Sequence, residues 1–155
     1  MSENGNKYKL IDILIVEDDN DHARLIVWAL KSLGWLQNNI IHLNDGQKAI
    51  NYMRKTGEYS NSNHKLPELI LLDIKMPVKD GFEVLEDLKA DSKFNKIPIV
   101  ILSTTYEPSD IEKAMKLGVV AFIRKTATFE ELKEKMDRMG NHWGLLERSE
   151  TQCNS

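Results

Sequence analysis

The chain has 155 residues, 41% of them apolar, and a formal charge of −3. That length fits one domain with a single sizeable core, and the slightly acidic balance without any Lys/Arg block gives no support to a nucleic-acid or membrane partner. The single cysteine, Cys153 in a polar tail, cannot close an internal disulfide or build a structural zinc site; with neither a signal peptide nor a membrane-spanning run expected, the predicted location is the cytoplasm.

The run Ile11–Val16 is apolar apart from Asp12 and stops at Glu17, Asp18 and Asp19. A strand buried on both faces, with its carboxyl end emerging at a site, has this pattern. A helix is predicted next, capped by Asn20 or Asp21, with Leu25, Ile26, Ala29, Leu30 and Leu33 at helical spacing until Gly34. Ile40–Leu43 reads as a second strand, Gln47–Lys55 as a second helix, and the Asn- and Ser-rich stretch from Gly57 to Pro67 as a long loop. Leu69–Asp73 repeats the apolar run that ends in an acid, and a third helix follows Asp80 and Gly81 with Phe82, Val84, Leu85 and Leu88 as its apolar set. Ile97–Leu102 is the next strand. The fourth helix is expected after Pro108 and Ser109, with Ser109 as cap and Ile111, Ala114 and Met115 turned to the core before Gly118. Val119–Ile123 is a fifth strand. Thr128 opens a last helix with the stripe Phe129, Leu132, Met136 and Met139.

Strands alternating with amphipathic helices call for a doubly wound α/β domain: a parallel five-stranded sheet covered on both faces and joined by right-handed crossovers. Such sheets bind ligands beyond the carboxyl ends of their strands, at the switch point of strand order. In the order 2-1-3-4-5 that point lies between the first and third strands, where Glu17, Asp18 and Asp73 stand. Three converging carboxylates repel one another unless a cation or proton relieves them, and oxygen ligands with room for water suit magnesium. Acids after a strand also serve as helix caps, the preferred reading for Asp19 and Asp21. Asp73 is different, because Ile74-Lys75-Met76-Pro77 follows it and no helix opens directly there.

Two further strand ends carry Ser103 and Thr104 on one side and Lys125 on the other. Each alone reads as a turn residue or a surface lysine. Together at one sheet edge they offer a phosphoryl group beside Asp73 a cation, a hydroxyl and backbone N–H groups, the surroundings that phosphoryl transfer needs. Of the histidines, His22 reads as a solvated helix residue, and His42, His64 and His142 form no ligand pair.

The strings ILIVEDD, LILLDIKMPVKDG, VILSTT and GVVAFIRK resemble, in order and spacing, the receiver domain of two-component response regulators, over roughly Ile11 to Met139. The resemblance implies a flavodoxin-like (CheY-like) receiver fold over 10–143, between a polar segment 1–9 and a polar tail 144–155. It also implies roles. Asp73 is the phosphoacceptor, Asp18 a direct magnesium ligand, Glu17 a carboxylate acting mainly through metal-bound water, and the carbonyl of Lys75 a further ligand. Lys125 pairs with the phosphoryl oxygens, Ser103 and the backbone of Thr104 contact the phosphoryl group, and Ser103 with Phe122 forms the switch. Lys75 and Thr105, each two residues beyond an active-site position, are expected to gate attacking water. Where the family commonly has a cis proline after the lysine, this chain has Thr126, so a trans bond is expected.

The long loop before LPELILLD and the lack of an expected output domain resemble the small response regulators that partner bacterial phytochromes. The implied partner is a sensor histidine kinase of that kind, and the implied chemistry is magnesium-dependent self-phosphorylation and autodephosphorylation. A shuttle serving a histidine-containing phosphotransfer protein and a pseudo-receiver that only binds are the alternatives. A homodimer is expected through the fourth helix, fifth strand and fifth helix, because the last apolar stripe continues in phase to Trp143, with Leu145 and Leu146 beyond it.

Overall fold

The structure, a computed structural model, describes residues 12–32, 39–104, 107–125 and 129–142. Its strands are β1 (Ile13–Val16), β2 (Ile40–Leu43), β3 (Leu69–Asp73), β4 (Ile99–Ser103) and β5 (Ala121–Arg124). Between and after them run α1 (Asn20–Ser32), α2 (Gly46–Arg54), α3 (Gly81–Lys89), α4 (Pro108–Lys116) and α5 (Phe129–His142). All strand pairs are parallel, in the order β2-β1-β3-β4-β5. That is the expected doubly wound sheet.

Successive strand residues point to opposite faces, and the core divides accordingly. Leu14, Val16, Ile70, Leu72 and Ile101 join Ile50 and Met53 of α2 and Val84, Leu85 and Leu88 of α3 on one face. Ile13, Ile15, Leu69, Leu71 and Val100 join Ile26, Ala29 and Leu30 of α1 and Leu132 and Met136 of α5 on the other. All of β1, β3 and β4 is buried, as strands covered on both faces require.

The first helix is capped by Asp19, one of the two acids read as caps, and not by Asn20 or Asp21: its Oδ1 accepts from the N–H groups of Asp21 at 2.9 Å and His22 at 3.2 Å. Two further local expectations are corrected. Ser109 is not the cap of α4. The helix starts two residues earlier than expected, at Pro108, with Glu107 before it and no side-chain cap bond; a proline in the first turn lacks one of the N–H groups that a cap would have served. Met115 does not face the core and is half exposed, because α4 lies against the edge strand β5 and buries only Ala114.

The stretch from Gly57 to Pro67 is held in place rather than left open. It begins with a short 3-10 turn, Gly57–Tyr59. His64 stacks on Tyr52 with ring centroids 3.8 Å apart, and its Nε2 is 3.0 Å from the Tyr52 carbonyl. The loop lies beside Asp12 and Asn39, at the amino edge of the sheet, away from the strand tips. At those tips, Asp80 and Glu83 form a reciprocal capping box that starts α3. Gly81 lets that helix approach: a Cβ there would overlap the carbonyl oxygen of Asp73 and stand 2.7 Å from Cα of Ile74.

Candidate functional site

The switch point between β1 and β3 holds the expected carboxylates. Asp73 is the last residue of β3 and is 3% exposed, Glu17 follows β1 directly and is 1% exposed, and Asp18 stands exposed at the mouth. One carboxylate oxygen from each lies within 4.8 Å of the others. Lys125, just past β5, crosses beneath the end of β4 to reach them. Its Nζ lies 2.8 Å from Oε1 and 3.0 Å from Oε2 of Glu17, and 3.4 Å from Oδ2 of Asp73. The backbone fixes that approach, since the N–H of Lys125 donates to the carbonyl of Ser103 at 2.7 Å.

The electrostatics follow from this geometry. The carboxyl of Asp73 is pushed up to about 7, first by burial and then by the neighbouring Glu17 carboxylate; Lys125 and the N–H of Lys75 pull it the other way. Asp19 is held below the usual carboxylate range by the N–H groups of His22 and Asp21, in keeping with its capping role. Oε1 of Glu17 is buried and accepts no hydrogen bond, although the Lys125 ammonium is close to it. Hard oxygen donors and a surplus of negative charge over the single Lys125 ammonium together fit a divalent cation such as magnesium or manganese.

Ser103 is completely buried at the end of β4 and Thr104, beyond it, is exposed. Phe122 lies opposite Ile101 in the β4–β5 register, half-buried against the core on the α2 and α3 side. Lys75 is exposed, and its N–H is 3.4 Å from Oδ1 of Asp73. A groove of about 590 Å³ opens beside Asp18 between the loop after β3 and the start of α4, lined among others by Lys75, Met76, Pro77 and Asp110. Thr105, Trp143 and the peptide bond to Thr126 lie outside the described residues.

His22 does not join the carboxylate group; its Nδ1 is 3.5 Å from Oδ2 of Asp19. His42, which carries no motif, is the residue that reading the sequence missed. Its Nε2 lies 2.7 Å from the carbonyl oxygen of Glu17. Only the adjacency of β2 to β1 reveals that contact.

The model of the response regulator receiver domain family matches residues 13–137. The chain is 35% identical over 131 residues to the probable methanogenesis regulatory protein FilR2 of Methanothrix harundinacea, covering 84% of this chain and 82% of that one. It is 34% identical over 143 residues to response regulator Rcp1 of Synechocystis, covering 92% and 94%. The solved Mn(2+)-bound form of Rcp1 superposes with a TM-score of 0.75 at 33% identity, covering 87% and 94%. The phosphorylated cyanobacterial phytochrome response regulator RcpA does so with a TM-score of 0.77 at 36% identity, covering 87% and 94%. Among the described residues no helix is long and apolar enough to cross a membrane.

Proposed function

The chain belongs to the response regulator receiver domain family of two-component signalling, and from that premise we propose that Asp73 is its phosphoacceptor and a sensor histidine kinase its donor. The observation that carries this reading is the convergence of Asp73 with Glu17, Asp18 and the Lys125 ammonium at one sheet edge. In the reaction an Asp73 oxygen attacks the phosphorus of a phosphohistidine. The P–N bond breaks as the P–O bond forms, and the departing imidazole takes up a proton.

Asp18, Asp73 and the Lys75 carbonyl would hold magnesium, with Glu17 acting through water; the cation supplies positive charge against the clustered carboxylates and the phosphoryl oxygens. Lys125 meets one phosphoryl oxygen. The hydroxyl of Ser103 and the N–H of Thr104 meet others, and Phe122 packs inward as Ser103 engages. Lys75 and Thr105 gate the water that later hydrolyses the acyl phosphate. The domain spans 10–143, and the expected location is the cytoplasm.

The name of RcpA, a phytochrome response regulator, supports a phytochrome as the kind of kinase served. The half-exposed Met115 on α4 supports a homodimer through α4, β5 and α5, to which Trp143 would add an anchor. Acetyl phosphate with magnesium is expected to add one acid-labile phosphoryl group. Chelation or Asp73→Asn should abolish it; an unchanged modification in Asp73→Asn would refute the assignment. Light scattering of the parent and Trp143→Ala tests the dimer, which an unaltered mass in the variant would exclude at that residue.

A further inference from the structure

We propose that His42 is a positioning residue for the cation pocket, holding the Glu17–Asp18 peptide in the orientation that presents both carboxylates. This rests on the reading that Glu17, Asp18 and Asp73 bind a divalent cation.

The need for such a residue comes from where β2 ends. Along β1 the N–H of Ile13 donates to Asn39 O at 2.9 Å, and the N–H of Glu17 to Leu43 O at 3.0 Å. A parallel ladder in that register would next use the N–H of Asp45 for the Glu17 carbonyl. Pairing stops at Leu43, however, and Asp45 is already the N-cap of α2. The Glu17 carbonyl would be left without a strand partner at the point where the chain turns from sheet to pocket. His42 supplies the partner: its Nε2–H donates to that oxygen at 2.7 Å, and the acceptor fixes the proton on Nε2. Both polar groups of the Glu17 backbone are therefore tied to β2, one by main chain and one by a side chain.

The consequence falls on the next residues. A peptide whose carbonyl is pinned toward β2 cannot rotate freely, so Glu17 keeps its side chain under Lys125 while Asp18 stays at the mouth. The N–H of Asp19 then reaches back to Oε2 of Glu17 at 3.1 Å, and its carboxylate caps α1. Removing the imidazole donor frees this turn and blurs the separation between Asp18 and Asp73 that a cation requires. Hydrogen-bond partners that orient ligands in this way are typically worth about 10- to 100-fold in metal affinity.

The test is Mn2+ binding by electron paramagnetic resonance on the full chain, beside acetyl-phosphate labelling at saturating Mn2+. His42→Phe keeps a ring and loses the donor; His42→Gln carries an amide N–H at nearly the position of Nε2. Expected is a roughly tenfold weaker Mn2+ affinity in His42→Phe, near-parent affinity in His42→Gln, and a labelling rate that recovers at saturating metal. Parent-like affinity in His42→Phe overturns the proposal, as does equal loss in both variants, which would make the ring's packing the cause. If the parent itself fails to bind Mn2+, the cation reading falls and this inference with it; if Asp18→Asn loses binding while His42→Phe does not, only the inference falls. Should His42→Phe not fold, long-range 1H–15N spectra of the parent decide: a ring protonated on Nε2 whose signals move on adding Mg2+ supports the proposal, and a ring protonated only on Nδ1 or indifferent to Mg2+ overturns it.

Discussion

Lys125 grips Glu17 more closely than it approaches Asp73, with Nζ 2.8 Å from Oε1 and 3.0 Å from Oε2. The distance to Asp73 Oδ2 is 3.4 Å. The lysine therefore competes with any cation for Glu17, and contact with a phosphoryl group on Asp73 requires it to loosen that grip. Removing its charge is expected to strengthen Mg2+ binding, by about three- to tenfold for a like charge a few ångströms away in a partly solvated pocket. Calorimetry on Lys125→Ala measures this, and weaker binding than the parent would contradict the competition.

Asp73 makes stability depend on pH in a defined direction. Its carboxyl ionises at about 7 in the folded chain but near 4 when unfolded, so between those values the folded state holds a proton that the unfolded state has lost. Stability from this group is thus greatest at the acid end and declines as pH rises through 7. Asp73→Asn removes the buried charge and is expected to gain on the parent by about 1–2 kcal/mol at pH 8, with little gain near pH 4. Urea unfolding in EDTA across that range checks the sign; a gain that grew toward acid would be the wrong way round.

The approach of α3 to the nucleophile depends on Gly81. A methyl group there meets the backbone of Asp73 and Ile74, neither of which can swing aside like a flexible side chain. Gly81→Ala is expected to cost about 2–4 kcal/mol and to slow labelling of Asp73 as its backbone shifts. A variant with parent stability and parent labelling would show that the helix can retreat without consequence.

Val78 carries local strain. It has a φ of 69° and is 86% exposed, and the N–H of Lys79 donates across it to Pro77 O at 2.7 Å. A three-residue turn of this hand disfavours a β-branched residue, and no buried contact offsets the cost. Val78→Asn should stabilise the fold by about 1 kcal/mol, since asparagine tolerates the left-handed region. Destabilisation in a urea titration would mean that the exposed valine makes contacts that outweigh the strain.

The apolar runs and their acidic or hydroxyl ends were enough to determine the element order, the parallel sheet and the convergence of Glu17, Asp18 and Asp73. A strand buried on both faces leaves an unbroken hydrophobic signature, and parallel pairing brings all carboxyl ends to one edge. Asp73 and Lys125 were legible for that reason, although 52 residues separate them. Tertiary structure decided what the strand ends do to each other. That Lys125 holds Glu17, which of Asp19, Asn20 and Asp21 caps α1, and that Met115 faces outward all depend on how the strand ends and helices meet. His42 is the clearest case: its hydrogen bond to Glu17 exists because β2 stops one rung short, and a missing rung leaves no mark in the identity of either residue.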